Sequence, residues 1–211
     1  YALIRVGLFG EAERFFKWIE ERCKQLDAVL PLNLVYGLDG RSDLSEFTLG
    51  EFEGYRRSSP VRIGNAAQGQ LQLDTYGALL DTVFLYDKHC KAIHHELWQE
   101  LARVTQWVCA NWRRPDESIW EVRSGKKEFL YSRVMCWVAI DRAIRISVER
   151  SFPAPLAKWT AARDDIYRDV FDNFWDGERG AFLQYRGAKA VDASALMIPL
   201  VKFTSPTDPR W

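Results

Sequence analysis

A glutamate directly behind a tryptophan, Glu121 in DESIWEVRSGKKEFLYSRVMCW (residues 116–137), is the group in this 211-residue chain best surrounded for proton transfer. Ile119 and Trp120 precede it and Val122 follows. Apolar neighbours disfavour a carboxylate and raise the pKa of the acid, which keeps a proton available near neutral pH. Glu121 is therefore read either as a general acid or as an ordinary loop glutamate beside a tryptophan that packs. Arg123, two residues on, offers a forked pair of N–H donors to hydroxyl groups or to a carboxylate, or else a surface ion pair. Trp120 offers an aromatic face on which an apolar ligand face stacks.

A second stretch, RIGNAAQGQLQLDTYG (62–77), holds Arg62, Asn65, Gln68, Gln70 and Asp74. Their amides, guanidinium and carboxylate suit a ligand rich in hydroxyl groups. Asn65 reads equally well as a helix N-cap. Gln70 and Asp74 lie four apart and would share one helical face, toward a pocket or toward solvent. Of the nine tryptophans, Trp18, Trp98, Trp107, Trp137 and Trp159 fall at helical spacing and read as packing residues. His89, Cys90, His94 and His95 are metal-ligand types, but their spacing matches no common zinc arrangement, and no metal or cofactor is expected. All three histidines sit in that cluster, which leaves no Ser-His-Asp arrangement.

Six stretches with helical period must position these groups. Tyr1–Cys23, broken at Gly7 and Gly10, predicts a short helix end, a turn and a second helix from Glu11. Ala67–Cys90 repeats at Leu73, Tyr76, Leu80, Val83 and Asp87. His94–Trp112 and Tyr131–Val148 repeat likewise. Pro155 suits the first turn of Pro155–Trp175. Asp192 is a candidate cap for Asp192–Phe203, with Pro199 an awkward interior residue. Strand signals are confined to LNLVYGL (32–38) and AFLQY (181–185), expected as small hairpins. Long polar loops, 37–65 and 113–130, alternate with short links. That layout suits a helical toroid whose loops gather at one end.

Composition narrows the classes. Apolar residues make up 47% of the chain, so it is globular. Lys plus Arg and Asp plus Glu balance at 29 each, which argues against a nucleic-acid or anionic-membrane binder. No apolar run is long enough to span a bilayer. Neither GxGxxG nor a P-loop occurs. Cys23, Cys90, Cys109 and Cys136 lie far apart and read as free thiols of a reducing compartment, hence a cytoplasmic location.

Residues 54–77 (GYRRSSPVRIGNAAQGQLQLDTYG) and 116–143 (DESIWEVRSGKKEFLYSRVMCWVAIDRA) together resemble glycoside hydrolase family 15, which holds glucoamylase-like enzymes and a bacterial branch that includes trehalases. Residues 33–55 and 191–211 resemble it as well, so the likeness spans the chain. It implies an all-α fold, part of an (α/α) six-hairpin toroid with short β-hairpins in its loops. It also implies inverting hydrolysis of α-linked glucosides, with Glu121, after the tryptophan of I-W-E, as general acid, and it favours Gln70 and Asp74 as pocket residues. Trehalose and short α-glucans are the leading substrates, with a disaccharide or oligosaccharide as the only partner. The oligomeric state stays open.

Two family features fall outside residues 1–211: a W-x-R-D segment upstream of YAL, and the glutamate base near the end of the family domain. The chain is thus expected to be an internal piece of the catalytic domain, poorly soluble alone because core faces lie bare. Inverting enzymes need an acid and a base about 6.5–9.5 Å apart. The alternative reading is a truncated, non-catalytic carbohydrate-binding relative of the same fold.

Overall fold

The computed structural model describes residues 2–24, 32–120 and 125–210. Seven α-helices and four short strands follow in order: α1 (Ala2–Arg5), α2 (Phe9–Lys24), β1 (Phe47–Leu49), β2 (Val61–Ile63), α3 (Asp74–His89), α4 (His95–Asn111), α5 (Leu130–Arg150), α6 (Leu156–Phe174), β3 (Trp175–Asp176), β4 (Ala181–Phe182) and α7 (Met197–Leu200). β1 pairs antiparallel with β2, and β3 with β4.

The long helices form two layers. In α5, 16 of 21 residues are buried, on every side of the helix, which marks it as an inner element. It lies along α3, and it also packs on α6 and α4; α4 in turn touches α2 and α6. Thus α3 and α5 are inside and α2, α4 and α6 outside. The inner pair is parallel, because contacts between them advance together along both helices. Gly77 meets Met135 near the start, Asp81 takes the Arg142 guanidinium at 2.7 Å in the middle, and Asp87 takes Arg150 at 3.0 Å near the end. Each outer helix carries the chain back, so the loops before α3, before α5 and after α6 meet at one end, as expected for an (α/α) toroid.

Close approach of the inner pair depends on Gly77. A Cβ there would stand 2.3 Å from the Met135 carbonyl oxygen. Alanine improves helix propensity by only about 1 kcal/mol, whereas forcing a backbone apart in a packed core costs about 1–3 kcal/mol. Gly77→Ala should therefore lower the urea midpoint of unfolding, and an unchanged or raised midpoint would contradict this packing.

At the opposite end from the loops, Arg150 Nε donates to both Asp87 carboxylate oxygens at 3.0 Å, while Asp87 also accepts from Ile93 N at 2.9 Å. The histidines work structurally there. His94 caps α4, its Nδ1 accepting from Leu97 N at 3.2 Å, and its Nε2 lies 3.0 Å from Glu20. His95 stands edge-on to Phe152. The four cysteines are free. No helix among the described residues is long and apolar enough to cross a membrane.

Several boundaries differ from expectation. Residues 32–38 form no strand: Leu32 N donates to the Tyr76 hydroxyl at 3.0 Å and Tyr36 packs edge-on to Trp18, so this apolar run covers α2 and α3 as irregular chain. Helix α3 starts at Asp74 and not at Ala67, because residues Ala66–Gly69 form a separate 3-10 turn. Of 181–185 only Ala181–Phe182 is strand, with a further bridge between Phe129 and Tyr185. The stretch 192–203 holds a 3-10 turn, Ala193–Leu196, and the four-residue α7, with Pro199 inside it.

Candidate functional site

The site is built where the three loops meet. Asp116 is fully buried and accepts from Leu73 N at 2.9 Å and from Ser132 Oγ at 2.6 Å. Its backbone exchanges two 2.9 Å hydrogen bonds with Lys127, which fixes Asp116 and Lys127 as a paired stem. Glu117 ties the same stem to the segment before α3: Leu71 N donates to Glu117 Oε2 at 2.9 Å and Glu117 N donates to the Leu71 carbonyl at 3.0 Å. Beneath, Arg133 of α5 is buried completely. It donates to the carbonyls of Trp112, Arg113 and Arg114, which end α4, and to Glu128 at 3.0 Å. One cation thus satisfies three carbonyls of the chain just after α4 and ties them to Glu128, beyond Lys127 of the stem.

Trp120, four residues beyond Asp116, is 56% exposed, and its Nε1 donates to Asp192 at 2.8 Å. Glu121 and Arg123 lie outside the described residues. Trp98, Trp112 and Trp159, by contrast with Trp120, are buried as packing residues.

Asp74 opens α3 and is buried, with Oδ1 lacking any hydrogen-bond partner. Burial, then the nearby charge of Asp116, push its pKa from an ordinary 3.8 up to about 7. Burial raises Asp116 too, against the lowering effect of the Ser132 hydrogen bond. Like charges this close do not both ionise readily, so the pair holds a proton into the neutral range. Tyr131 is pushed up to about 12, by burial first and then by Asp74.

A folded-state pKa raised above the unfolded value makes the native protein bind more protons between the two, so stability falls as pH climbs through that window. Asparagine in place of Asp74 removes this dependence. Between pH 4.5 and 7.5, Asp74→Asn should gain on wild type by a few kcal/mol at most, since a tenfold change in proton affinity is worth about 1.4 kcal/mol. Denaturant titrations of both proteins at the two pH values check it; a gap that does not move with pH would contradict the raised pKa.

The remaining expected site residues separate. Asn65 caps the 3-10 turn, its Oδ1 accepting from Ala67 N at 2.9 Å, and does not cap α3. Gln70 sits after that turn in extended backbone, so it does not share a helical face with Asp74; its Oε1 accepts from Gln72 Nε2 at 3.1 Å. Arg62, on β2, is exposed and lies 3.3 Å from Glu46, whose other oxygen accepts from Ala66 N at 3.4 Å. Gln68 braces the same loop, its Oε1 accepting from Leu44 N.

Sequence reasoning missed Asp116, Arg133 and the second role of Asp192. The only available signal was a charged residue at an otherwise apolar helical position, which Arg133 gives.

Among known proteins, the sequence matches the family model for glycosyl hydrolases family 15 over residues 1–210. It is 37% identical over its whole length to a trehalase of Mycobacterium tuberculosis, covering 31% of that protein. It is 38% identical over 210 residues to a trehalase of Thermoplasma acidophilum, covering 36% of it. The fold is similar to that of a glycosidase solved in complex with glucose, with a TM-score of 0.69 at 20% identity, covering 98% of this chain and 54% of that one. The chain thus spans about a third of the length of these trehalases. With its family match running from end to end and its helices laid out as an α/α toroid, the chain belongs to glycosyl hydrolases family 15.

Proposed function

We propose that this chain forms part of an O-glycosyl hydrolase that cleaves trehalose with inversion and releases glucose, with Glu121 as general acid. The observation that carries the reading is the anchored stem at Asp116 and Lys127. Asp116, Glu117 and Arg133 hold it, and an exposed tryptophan stands immediately before Glu121. A carboxylic acid that directly follows an exposed tryptophan in sequence suits protonation of a glycosidic oxygen. Membership of the family supports the reaction class, and similarity to trehalases supports the sugar.

The same reading takes residues 1–211 as a piece of the catalytic domain, with the base and the W-x-R-D segment supplied from elsewhere in a longer protein. That the chain spans about a third of the length of the trehalases it matches supports this.

In the full-length gene product, glucose release from trehalose should show a higher kcat/KM than release from maltotriose. Preference for maltotriose would move the substrate to short α-glucans. Cleavage of neither would favour a non-catalytic carbohydrate-binding relative.

A further inference from the structure

The strongest feature outside the machinery described above is the three-way anchor at Asp192. Its Oδ2 accepts from Trp120 Nε1 and from Gln184 Nε2, each at 2.8 Å, and its Oδ1 accepts from Ser194 N at 2.6 Å. One carboxylate therefore joins the loop before α5, the segment after β4 and the turn before α7. Burial raises its pKa, but the bonds from Ser194, Trp120 and Gln184 more than offset that, and the net shift is downward. The group is an anion at neutral pH, and hydrogen bonds to it are of the stronger, charge-assisted kind.

Trp120 needs such an anchor. A tryptophan that only packs is enclosed, as Trp159 is, and its orientation follows from its neighbours. Trp120 is more than half exposed, so packing alone does not hold it. Its single polar atom is spent on Asp192, which leaves an indole with a set tilt and an open face.

We propose that Asp192 is a positioning residue of the sugar site, fixing the Trp120 indole as a rigid platform on which one glucose ring of the substrate stacks. The proposal rests on the function given above and adds a residue to it. A preset ring spares the entropy of ordering an exposed side chain when sugar binds. Its effect therefore falls on ground-state binding and appears in KM more than in kcat.

The test uses the full-length gene product with Asp192→Asn, Trp120→Phe and the double variant. Asparagine retains one oxygen, so it serves either Ser194 or the Trp120 and Gln184 pair, never both. Asp192→Asn should raise KM for trehalose about tenfold with kcat nearly unchanged. In the Trp120→Phe background, which has no indole N–H to hold, the same change should add little to KM. The Trp120 indole cross-peak in ¹⁵N-tryptophan-labelled protein, assigned by its loss in Trp120→Phe, should shift or broaden in Asp192→Asn.

An unmoved cross-peak would overturn the proposal whatever the kinetics show. A KM rise of equal size in both backgrounds, or a fall in kcat alone, would reduce Asp192 to a structural cap. Should wild type cleave no trehalose, the functional reading falls separately, and titration of trehalose and maltotriose at the Trp120 cross-peak decides. A sugar-induced shift that weakens in Asp192→Asn supports the platform, and no shift with either sugar overturns it.

Discussion

Glutamine at position 121 should lower glucose release from trehalose by roughly 100-fold or more while the protein stays folded, since general acid catalysis contributes about 10²–10⁴-fold. The change keeps the size and shape of the side chain and removes the proton it donates. Loss should fall on kcat and on kcat/KM alike, because a proton passed to the leaving oxygen stabilises the transition state and not the bound substrate. The alkaline limb of the pH–rate profile should also disappear in the variant. Retained activity with an unchanged profile would remove Glu121 from the mechanism and return it to the role of a loop glutamate.

The largest stability effect is expected at Arg133. Its guanidinium is wholly enclosed, donates to three carbonyls at the end of α4, and meets Glu128 at 3.0 Å and Asp169 at 3.7 Å. Methionine fills much of the same volume and supplies none of the donors. Removing one partner from a buried ionic network is strongly destabilising, by about 3–5 kcal/mol, because the groups left behind stay buried and unpaired. Replacing a surface arginine changes stability by less than about 1 kcal/mol. Arg133→Met should thus lower the denaturant midpoint sharply, and Arg62→Met should leave it nearly where it was. Comparable small effects at both positions would mean that Arg133 does not hold the loop. Lysine at 133 should recover only part of the loss, since an ammonium lacks the fork that reaches several carbonyls at once.

Much of the architecture was legible because α4 and α6 carry a plain apolar stripe and α5 a long apolar run. Other parts were not, and the reasons are physical. Residues 32–38 look like a strand in composition, yet an apolar run serves equally as irregular cover once Tyr76 and Trp18 supply partners. The β1–β2 hairpin went unread because its strands are three residues long and largely exposed, with no alternation to detect. Gln70 and Asp74 seemed to share a helix face only while the helix was taken to begin at Ala67. An extended stretch after the 3-10 turn separates them.

In the site, Glu121 was singled out by the tryptophan before it and by the I-W-E resemblance. The buried pair Asp74, at the start of α3, and Asp116, in the loop after α4, lies 42 residues apart in sequence, and spacing carries no trace of such a meeting. Asp192 was legible as a cap, and its side chain does accept from Ser194 N. Its grip on Trp120, 72 residues away, is a tertiary fact.

The most direct test of the account is the anomeric form of fresh product. Trehalose joins two glucose units by α bonds at both anomeric carbons. Attack by water with inversion at one carbon releases one β-glucose, while the other unit leaves as α-glucose. Proton NMR of the full-length gene product acting on trehalose, recorded before mutarotation, should therefore show the two anomers in equal amounts at the earliest times. Release of α-glucose alone would establish retention and contradict the acid and base arrangement, and absence of any glucose signal would contradict trehalose hydrolysis itself.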